Sequence, residues 1–210
     1  MNERKSDIYK LLPDEYVPKT ILFRADQERH VDDIESTLDY PMICKPDIGY
    51  KGHKVMRVDN DAELDEMLKE YKDGDLLVQE YLSESREYSI MYYRILSSGE
   101  SGITSFVEKH MPTIQGDGKR TIEALINDLG NPFINTEWIF RKLGNRRSKI
   151  LESGKSLVVD HIGNYSRGSK FEDLRAQIDD DLLSAMNLLE TPIALIEWLQ
   201  IFCHRLIVSE

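Results

Sequence analysis

Lys45 closes a short apolar run, Met42-Ile43-Cys44, and is followed at once by Pro46, a loop holding Gly49 and Gly52, and a renewed strand pattern over residues 54–58. A lysine at a strand end, facing a glycine-containing hairpin, suits an anion such as phosphate. The ammonium supplies a point charge, and glycines let backbone N–H groups approach the oxygens closely. Lys51 lies inside the same hairpin. An ordinary turn with a solvated basic loop is the competing account of these residues.

Three further groups carry chemistry-bearing side chains. Gln79-Glu80-Tyr81-Leu82 ends a second apolar run, and Glu87 follows seven residues after Glu80. A strand running straight into a linker can offer backbone donors and acceptors to a flat heterocycle, and a carboxylate beyond it can accept from two vicinal hydroxyls. Solvated strand-end acids are the plain alternative. Arg94 and Lys109 each close a β-rich run and suit a carboxylate or a transferring phosphoryl group; exposed strand-end charges are again the alternative. The loop Gly163-Asn164-Tyr165-Ser166-Arg167-Gly168 suits an oxyanion as well as it suits any loop. Arg94, Arg141 and Arg167 are candidates for holding a substrate carboxylate.

Familiar signatures are missing. The sequence has no G-x-x-x-x-G-K-[ST], no G-x-G-x-x-G after a strand and no H-E-x-x-H, and its five histidines show no ligand spacing. The net charge of −11 argues against nucleic acid as a partner, since phosphate backbones want a basic face. Two cysteines, no apolar N-terminal segment and no long apolar run predict a reduced, cytoplasmic setting without a membrane span.

These residues need strands and helices to hold them. The pattern predicts strands over Thr20–Phe23, 42–45, 54–58 and 76–82, with helices over 27–38 and 62–71, the latter capped by Asn60 or Asp61. Strands over 88–95, 103–109 and 156–159 follow, with helices over 121–129, 135–143 and 173–189. The expected class is α+β, divided into a lead-in (1–19), a first subdomain (20–82), a second subdomain (83–190) and an atypical apolar tail (191–210), readable as helix or strand.

The ordered set resembles the ATP-grasp superfamily, nearest the cyanophycin synthetase and D-alanine–D-alanine ligase-like carboxylate–amine ligases. The matching elements are Pro18-x-Thr20, Ile43-x-Lys45-Pro46, the hairpin at 49–52, Gln79-Glu80-Tyr81, Glu87 and Lys109. Gly116-Asp117-Gly118 with Thr121, and Gly163-Asn164-x-Ser166-x-Gly168, complete it. The resemblance implies two α+β subdomains holding ATP, with Lys45 on the phosphates and the hairpin Gly49, Lys51 and Gly52 folded over them. It places Glu80, Tyr81 and Leu82 at the adenine, Glu87 at the ribose and Gln79 and Asn164 in the binding set, and it makes Lys109 and Arg94 catalytic.

The implied reaction is ATP-dependent ligation of a small carboxylate to an amine through an acyl phosphate, with magnesium. The alternative is a non-catalytic nucleotide-binding regulatory or interaction module. The reason is a departure from the family pattern: the C-terminal magnesium signature, an acid followed by something like E-x-N, is missing after Glu190 and Glu197, so the fold reads as C-terminally truncated and no metal ligand is assigned. A homo-oligomer is compatible with the sequence.

Overall fold

The computed structural model describes residues 4–49, 52–72, 74–83, 86–95, 97–190 and 198–203, with backbone alone for Glu35, 188–190 and 198–203. Two compact units emerge: Met1–Glu108 together with Asp173–Glu210, and Lys109–Glu172. Helices and sheets mix in the chain, as its pattern predicts.

The first unit opens with a short helix α1 (Lys5–Tyr9) and a sheet ordered β1 (Thr20–Phe23), β4 (Leu76–Glu80), β2 (Met42–Pro46), β3 (Met56–Val58), antiparallel throughout. Two helices, α2 (Val31–Glu35) and α3 (Asp61–Glu70), cover one face. Alternation along β2 sends Met42 and Cys44 into that core, where they meet Phe23, Val58, Leu76 and Val78 from the other strands. Leu64, Met67 and Leu68, spaced on one stripe of α3, and Ile34 of α2 close it. Asn60 caps α3 by accepting from the Glu63 N–H at 3.0 Å. Burial pushes the Cys44 thiol up to about 12, so Cys44 is an inert packing residue.

Three expected elements come out shorter, the first two for a visible reason. The helix expected over 27–38 is reduced to α2, because the Gln27 carboxamide accepts from the Arg24 N–H and Arg29 is drawn to the carbonyls of Tyr71 and Gly74. The strand expected from residue 54 starts at Met56, since Lys54 has φ +54°. The third, β4, stops at Glu80, leaving Tyr81 and Leu82 in irregular chain.

Asp75, just before β4, ties the edge of this sheet to the segments flanking it. Its carboxylate accepts from Arg24 Nη1 at 2.8 Å, from Arg4 Nη1 and from the Ala25 N–H at 2.9 Å. These donors, Arg24 first, hold the carboxyl down at about 2.

Within the same unit, β5 (Glu87–Ile95) and β6 (Glu100–His110, its last two residues counted with the second unit) are long strands, and β10 (Trp198–Cys203) pairs antiparallel with β5. The apolar tail thus contains a strand; its remaining residues, 191–197 and 204–210, lie outside those described. The helix α6 (Asp180–Glu190) supplies Met186 to a core of Tyr88, Ile90, Tyr92 and Phe106. A single helix over 173–189 is not what forms. Asp173 ends a strand, β9 (Lys170–Asp173), and its carboxylate accepts from the Arg175 N–H. Leu174 N–H donates to Phe106 O, and Asp179 starts α6 afresh by accepting from Leu182 N–H at 2.8 Å.

The second unit pairs β7 (Thr113–Gln115) with β8 (Ser156–Val158) and packs α4 (Ile122–Asp128) and α5 (Thr136–Leu143) around Ile114, Leu125, Ile126, Ile134 and Ile139. The Gly116-Asp117-Gly118 motif is a folding device here. A Cβ at Gly116 would lie 2.0 Å from Glu152 O, and Gly118 has φ +72°. Asp117 accepts from the N–H groups of Lys119 and Arg120, both at 2.8 Å, and Thr121 caps α4 through Ala124 N–H.

Two outcomes follow from these contacts. Gly116→Ala should lower stability by about 1–3 kcal/mol or more, read as an earlier urea midpoint in tryptophan fluorescence; an unchanged midpoint would refute the tight packing. For Asp75 the depressed carboxyl contributes stability above its ordinary value of 3.8 that is lost as pH falls through about 2. Wild type should therefore melt above Asp75→Asn at neutral pH, and the two should converge in that acid window. A gap that persists below pH 2 would show that the carboxylate charge is not what matters.

Candidate functional site

The second face of the first sheet is built differently from its core face. Cross-strand register places Thr20, Gln79 and Ile43 in one row and Leu22, Leu77 and Lys45 in the next. Cross-strand partners project to the same side, so Thr20, Gln79 and Lys45 share the face turned away from the Met42–Cys44–Val78 core.

Gln79 is 4% exposed, and a buried carboxamide must find partners for both ends. Its Nε2 donates to Thr20 Oγ1 at 2.7 Å, and Thr20 in turn donates to Pro18 O at 2.6 Å. The Gln79 Oε1 accepts from Lys45 Nζ at 2.7 Å. Since a lysine only donates, this chain of bonds fixes the amide's orientation. Lys45 also donates to the Tyr9 hydroxyl at 2.8 Å, with its ammonium 5.3 Å from the centre of that ring.

Beyond Lys45 the chain turns on Asp47, which is fully buried. Its carboxylate accepts from Ser6 N–H at 2.7 Å, Ser6 Oγ at 2.8 Å and Arg4 Nη1 at 3.2 Å. The Lys5 ammonium donates to the carbonyls of Pro46 (3.0 Å), Asp47 (3.3 Å) and Gly49 (3.3 Å). In the hairpin, Gly52 has φ +68°, the left-handed conformation that favours glycine. Lys51 lies outside the described residues. Gly49 is exposed, and a Cβ there would meet Pro46 Cγ at 3.1 Å.

At the far end of β4, the Glu80 carboxylate accepts from Lys19 N–H at 2.9 Å, while the Glu80 N–H donates to Lys19 O. Tyr81 is covered by the Arg57 guanidinium, 4.7 Å above its ring, and Arg57 pairs with Asp59 at 2.7 Å. Burial, first, raises the Tyr81 phenol, and the Glu87 charge adds to the rise. Leu82 follows Tyr81 half-buried, and Glu87 begins β5. Arg94 is half-buried near the other end of β5.

Lys109 and Asn164 belong to the second unit. Lys109 is buried, with its ammonium 6.0 Å from the centre of the Phe171 ring. Asn164 caps its own loop: its Oδ1 accepts from Ser166 N–H at 2.9 Å and Ser166 Oγ at 2.7 Å, and Gly168 closes the turn at φ +94°. Arg167 is held by both oxygens of Asp160, at 2.7 and 3.1 Å, so its charge is already matched. Arg141 sits exposed on α5.

Sequence reasoning missed Tyr9, Asp47, Lys5 and Ser6. Asp47 directly after a Lys-Pro strand end was a readable signal, because an acid buried at a strand end needs donors. Nothing in a five-residue helix marks Tyr9 as a partner of a lysine 36 positions away.

Comparison with known proteins gives three findings. No protein-family model matches the chain. Over 86 residues, 38% of this chain and 22% of the other, it is 31% identical to a formate-dependent phosphoribosylglycinamide formyltransferase of Sulfurisphaera tokodaii. Among solved structures it resembles D-alanine–D-alanine ligase from Bacillus anthracis, at TM-score 0.52 and 15% identity, over 94% of this chain and 50% of that one. It also resembles the VanG D-Ala:D-Ser ligase from Enterococcus faecalis, at TM-score 0.50 and 17% identity, over 90% of this chain and 43% of that one. The chain therefore spans half or less of each of these relatives. At such identities the shared property is the fold, and that fold is the one the sequence resemblance implies: the chain has the ATP-grasp fold.

Proposed function

We propose that the chain is the nucleotide-gripping part of an ATP-dependent carboxylate–amine ligase that acts through an acyl phosphate. The observation that carries this reading is Lys45, held by Gln79 and Tyr9 on the non-core face of the first sheet, at the root of the glycine hairpin. An ammonium has three donors. Two are committed, which aims the remaining one in a defined direction, as a phosphate oxygen requires. Glu80 at the end of β4, with Tyr81 and Leu82 just after it, is assigned to the adenine, and Glu87 to the ribose. The roles implied by resemblance for Gly49, Lys51, Gly52, Arg94, Lys109 and Asn164 belong to the same proposal, as does the division into two subdomains after residue 82.

The chemistry is sensible for this fold. A carboxylate is a poor electrophile until one oxygen becomes a phosphate leaving group, and cationic side chains offset the charge that gathers on the way. Magnesium, also implied by resemblance, finds no donors in the family's pattern among the described residues. The sequence of β10, Trp198-Leu-Gln-Ile-Phe-Cys203, has no carboxylate, and no E-x-N follows Glu190 or Glu197. No step is assigned to it. That same observation favours a second reading, a nucleotide-binding module without ligase activity.

Calorimetric titration with ATP, with and without magnesium, tests both. Wild type should bind ATP, and Lys45→Ala should weaken it by about tenfold or more, the worth of a charged hydrogen-bond partner. Absence of binding in both conditions would overturn both readings. Binding indifferent to magnesium would favour the module over the ligase.

A further inference from the structure

We propose that Arg57 is a positioning residue for the base of the nucleotide: it holds Tyr81, and with it the chain just past β4, from the far edge of the sheet. The proposal rests on the assignment of residues 80–82 to the adenine made above, and it extends that site to a residue that no motif of the chain includes.

Strand register decides which way Arg57 points. Arg57 of β3 pairs with Ile43, Ile43 with Gln79, and Gln79 with Thr20. Cross-strand partners project to the same side, so Arg57 completes this row on the face turned away from the core, the face that carries Lys45. The two cations use that face differently. Lys45 bonds to the side chain of its neighbour in β4. Arg57 reaches across β2, which separates β3 from β4, and sets its guanidinium 4.7 Å above the centre of the Tyr81 ring. A planar guanidinium over an aromatic face is a directional contact that strengthens as both groups leave water. The Arg57 side chain is only 22% exposed, and Tyr81 is half-buried.

The guanidinium is itself anchored. Its Nη2 donates to Asp59 Oδ1 at 2.7 Å. The Asp59 N–H donates to Glu63 Oε2 at 3.1 Å, and the Glu63 N–H to the capping Asn60, so this carboxylate stands at the fixed start of α3. A line of contacts thus runs from the first turn of α3 through Asp59 and Arg57 to Tyr81. The residue before Tyr81 is held from the other side, since Glu80 exchanges two hydrogen bonds with Lys19 at the entrance to β1. β1 and β3 are the two edge strands of the sheet. The end of β4 is therefore tied to both edges, one residue to each.

Such tying suits a base site better than it suits the fold. The Arg57–Tyr81 contact lies beyond the last residue of β4 and outside the hydrophobic core of the sheet, so neither strand pairing nor core packing calls for it. A flat base bound by the chain just past a strand does call for it, because small displacements of a binding group cost much of what it contributes. A tyrosine ring pinned in one place holds the backbone that carries it.

The test uses the full chain and three probes, ATP, adenosine and inorganic tripolyphosphate, titrated into wild type, Arg57→Met, Tyr81→Leu and the double variant, with thermal melts run alongside. Methionine keeps an unbranched stem and removes the charge. Arg57→Met should weaken adenosine and ATP by the same factor, about fivefold, and leave tripolyphosphate unchanged. Tyr81→Leu should cost at least as much, and the double variant no more than Tyr81→Leu alone, since a residue that acts through another is not additive with it. Adenosine binding that is unchanged in Arg57→Met overturns the proposal while the Lys45 reading stands. Losses that add in the double variant overturn it too, because Arg57 would then act without Tyr81. So does an equal weakening of tripolyphosphate with a lowered melting temperature, which would make Arg57 a structural residue. A wild type that binds tripolyphosphate but not adenosine overturns the adenine assignment and this inference, and leaves Lys45 in place; one that binds no probe overturns the Lys45 reading as well.

Discussion

Gln79 is the constraint on which the described site depends. It sits in β4, one of the two inner strands of the first sheet and buried on both faces, where an amide without partners costs roughly 1–3 kcal/mol. Its two ends need a donor and an acceptor, and the sheet register offers them only from the neighbouring strands. Thr20 supplies the acceptor from β1 and Lys45 the donor from β2. One buried side chain thereby fixes the rotamer of a lysine on the adjacent strand and ties it to the chain entering β1 at Pro18. The site is rigid because the core beneath it is.

The end of β2 shows a second level of the same logic. A lysine followed by proline and a turning loop would leave the backbone after Lys45 to water. Instead Asp47 is drawn fully inside and satisfied by Ser6 and Arg4, and the Asp47 N–H donates to Asp75 O at 2.9 Å. Asp75 in turn gathers Arg4 and Arg24. Two acids and two arginines hold the segments on both sides of the sheet edge, so the hairpin starts from a fixed root while Gly52 keeps the freedom that its left-handed φ demands.

Strand-type elements were legible because their signal is local. Alternation over Met42-Ile43-Cys44 and the β-branched and aromatic runs of β5 and β6 place residues on faces without reference to distant contacts. The helices capped by Asn60, Thr121 and Asn135 were legible for the same reason. Where local pattern failed, a long-range hydrogen bond had intervened. Arg29 is taken by carbonyls 42 and 45 residues away, which shortens α2, and Leu174 is taken by Phe106, which breaks the expected helix after Asp173. The Lys45–Gln79 pair was half legible: both residues stood out, but their contact follows from strand order β4–β2, which no short window contains. Tyr9 was invisible for the same reason.

Residues that stand out in sequence divide by what would replace them. Gly116 admits no side chain, because a Cβ would overlap Glu152 O at 2.0 Å; packing alone accounts for it, with or without a ligand. Asn164, by closing its own turn through Ser166, is accounted for in the same way. Lys45 is different. Nothing in its surroundings requires a charge, since its partners are a carboxamide and a phenol that could bond to a neutral group, and taking an ammonium partly out of water carries a desolvation cost. A neutral donor of similar length would satisfy the buried Gln79 Oε1 on the same face beside Leu22 and Leu77 without the cost of a charge. The charge itself, which the fold does not demand, is what supports the proposed phosphate role, and that distinction makes Lys45, rather than the more prominent glycine motifs, the residue from which function is best argued.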